Sequence, residues 1–240
     1  MSRHSKWSKV KQFKGAVDAK RSASFTKLAR EIQVAAKEKG ADPSLNLRLR
    51  VAIDRARRAS MPKDSIERAV ERGSGAGGEG QIDFLVYEAY GPGGTALIIE
   101  CLTDNRNRSA NDVKHLLTKH GASLAASGSV TYLFDHQGVV RLTEDLSVDR
   151  HEEIELSLID AGAEDMREED SSLLIVCDTK NLSQVAEAVE KHDLTVESAE
   201  LEWLPKLLVE TDEETGMIIE DLITALEELD DVSKVYSNLA

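Results

Sequence analysis

Residues 84–102, FLVYEAYGPGGTALIIECL, divide the chain into two kinds of structure. Phe84 to Tyr90 and Thr95 to Leu102 are rich in aliphatic and aromatic side chains, and Gly91-Pro92-Gly93-Gly94 between them is a turn signal. The stretch therefore predicts a β-hairpin. Upstream of it every pattern is helical, whereas downstream strand-like and helix-like runs succeed one another. Segregated helices followed by mixed elements predict an α+β protein.

Upstream, Phe25, Leu28, Ile32 and Ala36 recur at three or four residues and Gly40 supplies a stop, which predicts a first helix. Asn46 is suited to N-cap a second, in which Leu49, Ile53 and Ala56 form one apolar stripe. Arg48 and Arg55 flank that stripe on one side, Arg50 and Arg57 on the other, so these arginines are expected to be displayed. Pro62 fits the first turn of a third helix, Ile66, Ala69 and Val70 face inward, and Gly73 is expected as a left-handed C-cap. The first 78 residues thus read as a basic three-helix bundle with an N-terminal arm. Gly73 to Gly80 lacks a Gly-Lys-Ser/Thr ending and a preceding strand, so it reads as a hinge, not a phosphate loop. A coil of that length spans roughly 16 Å and would let the bundle reorient.

Downstream, Ser109 with Asp112 reads as a capping box for a helix burying Val113, Leu116 and Leu117. A strand is expected at Ser129 to Phe134. Val139 to Leu142, an acidic helix with Ile154, Leu158 and Ile159, a weak strand at Glu164 to Arg167 and an apolar strand at Ser172 to Asp178 come next. A helix with Leu182, Val185, Ala186 and Val189 and a strand at Thr195 to Leu201 complete a βαββαβ, ferredoxin-like order. Lys206 to Glu210, Met217 to Leu229 and Val232 to Ser237 then supply the strand, helix and strand missing from the hairpin's own domain, so two ferredoxin-like α/β lobes are expected, the second inserted in the first. Residues 136–205 are accordingly expected as an acidic insertion in a discontinuous domain of 79–135 plus 206–240.

Charge is divided as sharply as pattern. Residues 1–73 hold 19 Lys and Arg against 8 Asp and Glu, while 74–240 hold 11 against 36. A positive block on an acidic chain is the footprint of phosphate contact. Arg3, His4, Lys6, Lys9, Lys11, Lys14, Lys20 and Arg21 lie in the arm, where Trp7 is placed to stack on a base. Lys27, Arg48, Arg50, Arg55, Arg57 and Arg58 continue the candidate nucleic-acid contacts onto the bundle. Arg106 and Arg108 beside a helix N-terminus form a second candidate contact. The alternatives are that the bundle docks on its own acidic neighbours and that Arg106 and Arg108 pair with local acids.

Other classes find less support. His4, His115, His120, His136, His151 and His192 show no zinc-protease spacing, no Ser sits in a nucleophile elbow, and neither Cys101 nor Cys177 has an activating pattern beside it. The acidic runs at 168–170, 212–214 and 227–231 read as solvated faces, so no metal, cofactor or catalytic residue is expected. The longest apolar run, Ala96 to Leu102, is short and broken by Glu100, and the basic N-terminus has no apolar core region. A cytoplasmic chain without membrane or small-molecule partners is the expectation, with oligomeric state left open. An acidic scaffold would leave the basic block idle.

The motifs also carry a resemblance. His4-Ser5-Lys6-Trp7, Phe25-Thr26-Lys27-Leu28, Arg48-Leu49-Arg50-Val51-Ala52-Ile53 and Met61-Pro62-Lys63-Asp64-Ser65-Ile66-Glu67-Arg68-Ala69 resemble the N-terminal signature of the YebC/PmpR family. Tyr87 to Gly94 and Leu102 to Arg108 resemble its second signature. Arg3, Leu47 and Ala89 depart from the residues usual there. The resemblance implies a bundle and two α/β lobes around a cleft. It also implies a DNA-binding transcriptional regulator or, alternatively, a ribosome-associated translation factor contacting ribosomal RNA near the site of peptide transfer.

Overall fold

The computed structural model describes residues 24–75, 82–142, 151–169 and 172–240. Three helices come first: α1 over 24–39, α2 over Leu47–Arg58 and α3 over Lys63–Gly73. Ile32, Leu49, Ile53, Ala56, Ile66 and Ala69 form their shared core. Asn46 does cap α2, accepting from the Leu49 amide at 3.1 Å, and its side-chain amide donates at 2.8 Å to the Ala35 and Gly40 carbonyls. One buried side chain thereby ends α1 and begins α2. Gly73 is not the expected left-handed cap. It stays inside α3, where an added Cβ would stand 2.4 Å from the Gln33 carbonyl oxygen, so it is a close helix–helix contact. The positive φ falls at Gly75.

The predicted hairpin forms from β1 (Asp83–Tyr90) and β2 (Ala96–Thr103), paired antiparallel. Helix α4 (Arg106–Lys119) begins three residues before the expected capping box. Asn105 caps it by accepting from the Arg108 amide, and Ser109 is buried within the first turn. The two-residue β3 (Ser123–Leu124) lies on the far side of β1. From the C-terminus come α7 (Glu213–Glu227) and β8 (Val232–Ser237), which gives the sheet order β3-β1-β2-β8. The expected strand at 206–210 is reduced to one bridge, Val209 with Leu239.

All eight residues of β2 are buried. One face is covered by α4 and α7 through Val113, Leu117, Leu222 and Leu226, and the other by Val130, Phe134 and Trp203. Two covered faces explain an apolar run without alternation.

The second sheet comprises β4 (Phe134–Leu142), β5 (Ala163–Glu169), β6 (Ser172–Cys177) and β7 (Val196–Pro205), ordered β5-β6-β4-β7 and antiparallel throughout. With α5 (His151–Asp160) after β4 and α6 (Leu182–Lys191) after β6, this is the ferredoxin-like arrangement. The expected strand at 129–134 is instead a short 3-10 turn, Thr131–Leu133, and Phe134 opens β4 opposite Pro205.

Glu88 explains that turn. Its buried carboxylate accepts from the backbone amides of Gly128 at 2.6 Å, Val130 at 2.7 Å and Thr131 at 3.0 Å. Burial alone would raise this carboxyl, but the converging amides outweigh it and hold it below the ordinary glutamate value. Glu88→Gln supplies one acceptor oxygen where two charged ones worked and places an amide donor against amide donors. A loss of about 1–3 kcal/mol in urea unfolding is expected. An unchanged midpoint would show that the turn is held by its own backbone.

Candidate nucleic-acid interface

Helix α2 is buried on two sides, and this governs where its arginines go. Leu49, Ile53 and Ala56 enter the bundle core as expected, but Val51 is part of the ferredoxin-like domain's core and Leu47 packs beside it. The helix is therefore pinned between two hydrophobic bodies.

The arginines close the seam. Arg50 reaches Glu190 of α6 at 3.0 Å, and Arg58 donates to the Glu197 carbonyl oxygen of β7 at 2.8 Å. Arg55 bonds Glu200 of β7 and, at 3.2 Å, Glu31 of α1. Lys234 of β8 completes the cluster at 2.6 Å from Glu200, and Glu202, bonded by Arg141 of β4, lies 3.5 Å from Lys234. All three domains meet in this network. Burial would raise the Glu200 carboxyl, yet the Lys234 and Arg55 charges outweigh it and hold it at about 2. Glu31, where burial dominates over Arg55, is raised.

The expectation of an arginine row standing free for a polyanion is thus corrected for Arg50, Arg55 and Arg58, which bond to the ferredoxin-like domain. Arg48 pairs within the bundle to Glu38 at 2.5 Å, and Arg57 pairs with Asp54 at 3.0 Å on the open side. Docking on acidic neighbours, the alternative weighed above, holds for three of the five.

Helix α1 anchors the opposite seam. Lys27 donates to the Glu227 carbonyl oxygen at the end of α7, where helix carbonyls lack partners and the dipole favours cations, and Arg30 donates to the Asp230 carbonyl oxygen in the turn that follows. Burial lowers the Lys27 ammonium despite the acids around it. Arg30 also pairs with Asp231 at 2.8 Å. Asp231, expected on a solvated acidic face, is buried and accepts from Ser109 at 2.7 Å, Thr103 at 3.0 Å and Arg108 at 2.8 Å. Arg108 further bonds Asp104 at 2.7 Å, and Arg106 pairs with Asp83 at 2.7 Å while staying largely exposed. Both loop arginines are thus paired with acids, Arg106 with Asp83 and Arg108 with the neighbouring Asp104 and the distant Asp231. Arg3, His4, Lys6, Trp7, Lys9, Lys11, Lys14, Lys20 and Arg21 lie outside the described residues.

Between the three domains is a cleft of about 400 Å³. In it His136 of β4 stacks on Trp203 of β7 with ring centroids 4.3 Å apart and planes within 19°. The indole N–H donates to Glu100 of β2 at 3.0 Å, bringing both sheets together. Phe84 of β1 lines the same cleft and is 47 % exposed. Sequence pattern did not single out Trp203, His136, Asp231 or Lys234. A signal existed for Glu88 and Glu100, since an acid inside an apolar strand must be hydrogen-bonded if buried. Among the described residues no group of three His, Cys, Asp or Glu could hold a metal ion, and no helix is long and apolar enough to cross a membrane.

Known proteins match over nearly the whole chain. Residues 5–76 match the family model of the TACO1/YebC protein N-terminal domain, and 82–239 that of the TACO1/YebC second and third domain. A probable transcriptional regulatory protein of Thermoanaerobacter pseudethanolicus is 43% identical over 239 residues, covering 100% of this chain and 97% of the relative. One of Persephonella marina is 46% identical over 240 residues, covering 99% and 95%. A crystal structure of a conserved hypothetical protein from Aquifex aeolicus superposes with a TM-score of 0.83 at 41% identity, covering 93% of this chain and 92% of that one.

Proposed function

Since this chain belongs to the TACO1/YebC family, we propose that it is a cytoplasmic, non-enzymatic, nucleic-acid-binding regulator of gene expression, acting on DNA as a transcriptional regulator. The observation that carries this reading is the placement of charge. Residues 3–21 hold seven Lys and Arg against one acid, at the start of a bundle whose own arginines are largely committed to the other domains. The bundle acts as a fixed platform, and the arm and the outward Arg57 make the phosphate contacts. The similar relatives' names, probable transcriptional regulatory proteins, agree with it.

Counter-ion release supplies the test. With about five phosphates neutralised on duplex DNA, affinity should fall roughly 500-fold between about 50 and 200 mM salt. Changing Lys6, Lys9, Lys11 and Lys14 together to Ala should flatten that slope. A slope identical to the parent's would remove the arm from the interface.

The second reading, a ribosome-associated translation factor on ribosomal RNA, is favoured by the rings of the central cleft, because unpaired bases abound in folded RNA and not in duplex DNA. Sedimentation of the protein through lysate with DNase or RNase separates the two. Ribosomal co-migration that survives DNase supports translation.

A further inference from the structure

The central cleft is lined in part by the Arg55, Glu200 and Lys234 network that fastens the domains, yet the rest of its lining has the features of a recognition site. Two of its side chains are aromatic and accessible: His136 is exposed above Trp203, and Phe84 is nearly half exposed. They come from different sheets, β4 and β1, so the domain junction itself assembles them. Partial burial lowers the His136 basicity below the ordinary imidazole value, which favours the uncharged ring.

The cleft's charges are arranged in depth. Its deeper acids are already satisfied: Glu31 and Glu200 by Arg55 and Lys234, and Glu100 by the Trp203 indole. Among the described residues its exposed charged lining is Lys39, Arg48, Lys180 and the acid Glu38; Arg48 pairs with Glu38, and Lys180 lies 3.5 Å from Asp178, both pairs at the surface and open to exchange with an anion. Accessible rings beside exposed Lys and Arg complement a base carried on a phosphate backbone, in which ring and anion recur together at every nucleotide.

We propose that the cleft between the three domains receives an unpaired nucleobase of a single-stranded polynucleotide, stacked on His136 and Phe84, with the flanking phosphates at Lys39, Arg48 and Lys180. This rests on the nucleic-acid reading above and narrows it to a strand with exposed bases.

The test uses the full chain carrying Trp7→Phe, so that Trp203 is the remaining tryptophan. The probes are a 12-mer of oligouridylate, oligothymidylate of the same length, and an abasic 12-mer with the same phosphates. Base-containing strands should quench Trp203 fluorescence and bind more tightly than the abasic strand. His136→Ala and Phe84→Ala should each weaken them about 5- to 150-fold, from a stacking loss of ~1–3 kcal/mol, while binding of the abasic strand is unchanged. Both positions are exposed enough that either variant should fold. Equal quenching by oligouridylate and oligothymidylate fits a base-recognition site blind to sugar, and a preference for the former points to RNA; both support the proposal.

Salt-sensitive binding that ignores base removal and both substitutions would overturn the cleft assignment while leaving the proposed function standing. Cleft occupancy by an aromatic peptide alone would do the same. No binding of any strand, together with a flat salt titration on duplex DNA, would overturn both.

Discussion

Asp231→Ala should lower the unfolding free energy by about 3–5 kcal/mol, the range for removing one partner of a buried charge cluster. The carboxylate is buried and accepts from Thr103, Ser109, Arg108 and Arg30, so its loss takes the charged acceptor from two buried hydroxyls, which keep only their contacts with the Asn105 backbone, and leaves Arg30 without its charge partner. Two of those donors belong to the start of α4 and one to α1, so the damage reaches the bundle as well as the hairpin domain. Burial alone would raise Asp231, but the Ser109, Arg108 and Thr103 hydrogen bonds and the Arg30 charge hold it below the ordinary aspartate value. A depressed folded-state value stabilises above the unfolded one, near ~3.9, and the stabilisation drains away as pH falls toward the folded value. Urea unfolding at neutral pH measures the loss. A change under about 1 kcal/mol would mean that water replaces the carboxylate without cost.

For Glu200→Gln the expected loss is smaller, about 2–4 kcal/mol, because Arg55 retains Glu31 and Lys234 retains Glu202. The side chains involved are between a fifth and a third exposed, which also moderates the figure. Its location is more telling than its size. Arg55 lies in α2, so amide exchange should accelerate across Leu47–Arg58 and in β7 ahead of β5 and β6. The Glu200 value of about 2 lies below its unfolded one, so its contribution is complete above about pH 4.5 and is lost as pH falls toward 2. Glu31 and Glu100, raised by burial and further by the Glu200 charge, oppose this trend and are relieved in part by the substitution, so the difference between parent and variant reports Glu200 together with these two coupled neighbours. That difference should narrow in acid. A gap constant from pH 7 to 3 would show that Glu200 does not titrate against the fold.

The helical start, the hairpin and the ferredoxin-like order were legible because each is a local pattern. Asn46 caps α2 as its residue type implies, and β2 reads as a strand on both counts of side chain and turn. Errors gathered where a local cue competed with a distant partner. Ser109 looked like a cap because nothing nearby reveals Asp231, 122 positions away, as its true partner. Gly73 looked like a terminator, but Gln33 of α1 is what requires the missing Cβ. The strand expected at 129–134 gives way to a turn because Glu88 gathers its amides.

By itself the sequence determined most of the helices and strands, the segments 129–134 and 206–210 excepted, and that positive charge is concentrated in the first 73 residues, since periodicity and residue count depend only on neighbours along the chain. Only the tertiary structure decided which of those cations are spoken for. Arg50, Arg55 and Arg58 find Glu190, Glu200 and Glu197 some 140 residues away, and His136 finds Trp203 across a strand pair. Coulomb attraction, desolvation and ring stacking act through space over a few ångströms, and which groups come that close is set by how the three domains pack.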